Sequence, residues 1–128
     1  MKNLFLAAIV IFSTCTARAQ IGETLDKCIE RYGSPLGAGS AREPVIFRQG
    51  PGLMFVTFEG GKACQFDFQS PRSLTDNEVE RLQTIATGGT TWRRAELSPK
   101  GPVWESADGK LISFHFKEEK VVSVQLRR

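Results

Sequence analysis

Hydrophobic positions along this chain change period several times, and each change marks an element. In Ile21 to Tyr32, IGETLDKCIERY, apolar residues fall at 25, 28, 29 and 32. That i, i+3, i+4, i+7 stripe predicts a short amphipathic helix. Thr24 is placed to cap it, Asp26 suits the positive end of its dipole, and Gly33 with Pro35 closes it. Alternation by two then predicts strands over Pro44 to Arg48, Leu53 to Glu59 and Lys62 to Phe68. Leu74 to Leu82, LTDNEVERL, opens a second helix. Thr75 and Glu78 have capping-box spacing, and Leu74 with Val79 fits a hydrophobic staple. Val79, Leu82, Ile85 and Ala86 form its apolar face, and Gly88-Gly89 ends it. Further strands are expected over Thr90 to Leu97, Pro102 to Ser106, Lys110 to Lys117 and Lys120 to Leu126, with Asp108-Gly109 as a hairpin turn.

The strand pattern occurs twice. Moved forward by 58 positions, LMFVTFEGGKACQFDF (53–68) lands on LISFHFKEEKVVSVQL (111–126), matching Leu53 with Leu111, Phe58 with Phe116 and Lys62 with Lys120. Upstream, Pro44-Val45 falls on Pro102-Val103 and Ile46 on Trp104. Such an offset suggests duplication. The predicted architecture is α+β: tandem duplicated helix–antiparallel-strand units, over about 21–69 and 74–127, with helices packed on one face of an antiparallel sheet. No flexible linker separates the units, so residues 20–128 are expected to form a single domain.

Strand parity then assigns faces. Val56, Phe58, Cys64, Phe66 and Phe68 share one parity and should face the helices. Their copies, Ile112, Phe114, Phe116, Val122, Val124 and Leu126, should do the same. The opposite face carries polar residues such as Thr57, Gln65 and Asp67, with His115 among them. It also carries Leu53 and Phe55, with Val45 and Phe47 joining them. An apolar patch on a wet sheet face can mark a partner site. A bulge that shifts the register, or mutual cover of the two units, would account for the same pattern.

Before these elements, Lys2, the apolar run Leu4 to Phe12 and the small-x-small site Ala17-Arg18-Ala19 read as a signal peptide over residues 1–19. The apolar run falls short of the roughly 20 residues of a membrane-spanning helix. Phe12-Ser13-Thr14 before Cys15 departs from a lipobox, which argues against a lipid anchor there. Removing the leader takes two of the chain's 17 basic residues and none of its 14 acids, so the excess of positive charge falls to one. That balance lacks the electrostatic footprint of a nucleic-acid binder. The remainder is an exported chain, periplasmic or secreted, holding Cys28 and Cys64. A disulfide between them suits that compartment and would contribute roughly 4 kcal/mol by loop closure. Two small buried thiols are the other reading.

Catalytic chemistry finds little support. The single histidine, His115, has Thr57 as its repeat partner and no evident orienting group. Asp26 and Glu30 suit a solvated helix face, and Ser34, Ser98 and Ser106 fall in or beside turns. Gly60-Gly61 lacks the following helix of a phosphate loop, and no Cys/His spacing suggests a metal. Neither an enzyme nor a cofactor is expected.

Gly22-Glu23-Thr24 through Gly33-Ser34-Pro35 resembles the Gly-x-Thr–helix–Gly-x-Pro opening of the SmpA/OmlA domain. That family includes small lipoproteins of the outer-membrane assembly machinery, and its fold is shared with β-lactamase-inhibitory proteins. The second helix lacks both halves of the motif. The resemblance implies a non-catalytic protein-binding module of the cell envelope, with another envelope or secreted protein as partner. Phe47, Leu53, Phe55 and His115 are the candidate binding residues. A small-molecule-binding or enzymatic role with a pocket around His115 and Trp92 or Trp104 is the alternative, and a structural envelope lipoprotein anchored through Cys15 is a third.

Overall fold

A computed structural model describes residues 20–37, 43–95 and 98–127. The expected leader, Cys15, and the end of the Thr90 to Leu97 segment lie outside them. Two helices and seven strands follow in the order α1 (Leu25–Tyr32), β1 (Val45–Gln49), β2 (Gly52–Glu59), β3 (Lys62–Gln69), α2 (Asp76–Thr87), β4 (Trp92–Arg94), β5 (Val103–Ser106), β6 (Leu111–Phe116) and β7 (Val121–Leu126).

All seven strands join one antiparallel sheet in the order β1-β2-β3-β7-β6-β5-β4. The last strand lies at the centre, closing two meanders against each other through β3 and β7. This corrects the expected balance of helix–strand repeats. The fold is dominated by its sheet, and the helices are short at 8 and 12 residues. The helices also fail to follow the strand offset, because the chain between β3 and β4 is built around its own caps.

Those caps form as the sequence implies. The Thr24 side chain accepts from the Lys27 N–H, and Gly33 donates to the Ile29 carbonyl. Thr75 and Glu78 make a reciprocal capping box, and Gly88 closes α2 in the left-handed conformation at φ 81°. Residues 20–24 lace these parts together. Ile21 N–H donates to the Ala86 carbonyl at the end of α2, and Gly22 N–H donates to Ala63 on β3.

Both helices pack on one face of the sheet. Phe47, Met54, Val56, Phe66, Phe68, Val122 and Val124 form the buried core with Cys28, Val79 and Ala86 from the helices. Tyr32 meets Phe47 ring to ring at 5.7 Å.

The face assignment of β6 is inverted from expectation. Ser113 and His115 are buried towards the helices, while Ile112, Phe114 and Phe116 look away. The cause is a single bulge. In the first hairpin Phe58 pairs with Ala63, but Thr57 pairs with Gln65, leaving Cys64 as an extra residue. In the second hairpin Phe116 pairs with Val121 and the register runs unbroken to Leu111 and Leu126. The turn-end pairing is the same in both copies. Only the first is then shifted by one residue, and a one-residue shift exchanges the faces. Val122 and Val124 keep their inward parity, so the inversion falls on β6.

Candidate functional site

The four candidate binding residues separate into two pairs. Phe47 is 0 % exposed and stands on the helix side, opposite Met54 in the β1–β2 register. His115 is 4 % exposed and also faces the helices, opposite Val122. Neither is an outward residue. Across the β1–β2 turn odd positions pair with even ones, Phe47 with Met54 and Phe55 with Ile46, so Phe47 and Phe55 stand on opposite faces. His115 was misplaced by the missing second bulge. Val45, also expected outside, is buried inside with Val56.

Leu53 and Phe55 do lie on the face without helices, partly exposed. The register sets Ile46 beside Phe55 on this flank. On the other flank are Ile112, Phe114 and Phe116, the residues turned outward by the unbulged hairpin. The Phe114 and Phe116 rings stack at 5.5 Å with 7° between planes. Between the flanks, β3 and β7 supply a polar strip. Gln65 donates to the Asp67 carboxylate at 2.8 Å, and Gln125 donates to the Ser123 hydroxyl at 3.4 Å. Each bond joins residues two apart on one strand and holds its amide along the strip. The result is an aromatic and aliphatic surface on each side of an ordered hydrogen-bonding centre. Phe114 and Phe116 were missed in the sequence because their repeat partners, Val56 and Phe58, belong to the inner face.

On the helix side, the interface changes character across the sheet. Under β1 to β3 it is apolar. Over β6 it contains Gln83, whose Nε2 donates to the Ser113 hydroxyl at 3.0 Å. It also contains His115, whose Nδ1 is buried without a hydrogen-bond partner. Burial holds the His115 imidazole pKa below its ordinary value and Lys117 adds to this, while Asp76 at the start of α2 acts in the opposite sense. A polar cleft opens between α2 and the β4–β5 edge, lined by Asp76, Glu80, Gln83, Trp92, Arg94 and Trp104 among others. Both tryptophans therefore converge on one concavity, while His115 is not part of its lining.

The remaining chemistry is structural. Ser106 is buried, donates to the Asp108 carboxylate at 2.7 Å and accepts from the Leu111 N–H at 2.9 Å, holding the β5–β6 turn. Cys28 and Cys64 are both buried free thiols, where a bridge was one of the two readings. Cys28 belongs to the contiguous core and Cys64 stands outside it, at the bulge. Burial pushes the Cys28 thiol up to about 11, helped by the Glu23 carboxylate, so it stays protonated at neutral pH. Among the described residues no group of His, Cys, Asp and Glu is arranged to hold a metal ion, and no helix is long and apolar enough to cross a membrane. In comparisons with known proteins, no family model matches this chain, and neither a curated protein nor a solved structure matches it.

Proposed function

We propose that this chain is an exported, non-catalytic protein-interaction module of the bacterial cell envelope, docking another envelope or secreted protein on the helix-free face of its sheet. One observation carries the reading. That face presents Leu53 and Phe55 on one flank and the stacked Phe114 and Phe116 on the other, with no element of the described chain covering either. Aromatic side chains with an apolar body supply much of the energy at interfaces, and a polar strip between them fixes orientation. The Gly-x-Thr–helix–Gly-x-Pro resemblance agrees with such a role in the envelope.

The partner implied has apolar side chains spaced to reach both flanks and hydrogen-bonding groups between them. Replacing Phe55 by Asp abolishes its capture while thermal unfolding stays nearly unchanged, because the side chain lies outside the buried core. Undiminished capture by that variant contradicts the proposal.

A further inference from the structure

The two helices differ at their C-terminal ends. Arg31 stands in the last turn of α1, where a cation suits the negative end of the dipole. α2 has Asp76 and Glu78 in its first turn and no basic residue in its last. What meets that end is Gln20. Ile21 N–H donates to the Ala86 carbonyl at 2.9 Å, and Glu23 N–H donates to the Gln20 carbonyl at 2.9 Å, which fixes the backbone on both sides of residue 20. The Gln20 side chain is seated as well. A Cβ on Gly88, the cap of α2, would stand 2.7 Å from Gln20 Nε2, 2.8 Å from Oε1 and 2.9 Å from Cδ. The amide thus occupies space that only glycine leaves open.

The Gln20 backbone nitrogen is one residue from the Ile21 nitrogen, which puts it within about 7 Å of the Ala86 carbonyl oxygen. Removal of a leader after Ala19 turns that nitrogen into an ammonium, the cation that the last turn of α2 lacks. Glu23 on the same segment favours the charge, and Lys62, bridged to Thr24 from β3, opposes it. An N-terminal glutamine also has a second fate. Its neutral amine attacks its own Cδ, the new N–Cδ bond closes a five-membered lactam, and the Cδ–Nε2 bond breaks. Nε2 leaves as ammonia with a proton from the amine, and the product, pyroglutamate, is uncharged. Only the unprotonated amine is a nucleophile, so an ammonium held at a helix C-terminus reacts slowly. Ring closure also removes Nε2 from Gly88.

We infer that Gln20 is a modification site controlled by folding: exposed by cleavage after Ala19, its α-ammonium completes the C-terminal end of α2, and the fold shields it from conversion to pyroglutamate. The inference rests on the reading of the chain as exported and is independent of the docking face.

The test begins with the full chain exported by a bacterial host and purified from the periplasm. Its intact mass gives the first residue and the state of cyclisation. A mature chain that begins at uncyclised Gln20 is expected. A chain that begins elsewhere, or arrives as pyroglutamate, overturns the inference without touching the docking face. The purified chain is then incubated in warm phosphate buffer, with and without concentrated guanidinium chloride, and loss of ammonia is followed by mass. Cyclisation should be slower in the folded chain by roughly two- to fivefold or more. The sample cyclised to completion while unfolded is refolded and compared with the uncyclised chain by denaturant titration. The uncyclised form should have a folding equilibrium more favourable by roughly two- to fivefold, and high salt should shrink that advantage. Equal cyclisation rates, equal stabilities, or a difference that salt leaves unchanged would each overturn it.

Discussion

Phe47 and Phe55 are eight residues apart and have opposite meanings. Phe47 is wholly enclosed among Tyr32, Met54 and the rest of the core, and Phe55 sits on the free face. Phe47→Ala should cost about 3–5 kcal/mol, through lost burial and the cavity left behind. Phe55→Ala should cost less than about 1.5 kcal/mol, since that ring is partly exposed and lies outside the buried core. Denaturant titration of both variants checks the contrast, and equal losses would place Phe55 in the core. The thiols offer a second check at this scale. Denatured, unreduced protein processed after Ala19 should take up alkylating reagent at both Cys28 and Cys64. Native protein should be labelled slowly, because Cys28 is buried and its thiol is held protonated. Absence of labelling after denaturation would mean the two are bridged.

His115 and Glu78 set the pH response through depressed pKa values, and the sign is the same for both. A buried neutral His115 binds its proton less readily in the folded chain than in the unfolded one, so its contribution is intact above about 6.5 and declines as pH falls below that. The Arg72 guanidinium and the Thr75 N–H hold Glu78 down to about 2, so this contribution is lost only as pH falls from about 4.5 towards 2. Thermal unfolding followed against pH should therefore lose stability in two steps, with His115→Gln removing the upper one. A single step near pH 4 in the parent chain would contradict the buried histidine and its unpartnered Nδ1.

Elements were legible where the signal was local. Thr75 with Glu78, and Gly88 after the last turn, mark α2 in the sequence as plainly as in the structure. Thr75→Ala should cost about 1 kcal/mol, read as a lower unfolding midpoint, because it removes one half of the capping box. Strand boundaries were legible for the same reason, through period and turn residues. The faces of β6 were not. They depend on whether one residue bulges in its hairpin, and neither Cys64 nor its copy Val122 announces this by type. Ser113 and His115 inside, with Phe114 and Phe116 outside, run against polarity, and only the pairing with Val122 and Val124 enforces it. Gln83 donates to the Ser113 hydroxyl in consequence, so a polar contact stands where the expected parity would have put an apolar one.

At the scale of the whole molecule, the positions of the strands were visible in the sequence and the balance of helix to sheet was not. Each meander follows the offset, but the chain closes β7 against β3 and thereby makes one continuous seven-stranded sheet with two small helices on one side. Leaving the other side free follows from that closure. Leu53 and Phe55 were legible as outward by parity, while Phe114 and Phe116 became their companions only through the unshifted second hairpin. The docking role rests on that face as a unit. It is tested most directly by placing a photo-crosslinking phenylalanine analogue singly at positions 55, 116 and 80 and irradiating the protein in envelope extract. Positions 55 and 116 should yield the same crosslinked partner, and position 80, on the helix side, should yield none of it. A partner captured from position 80 and from neither phenylalanine site would contradict docking on the free face.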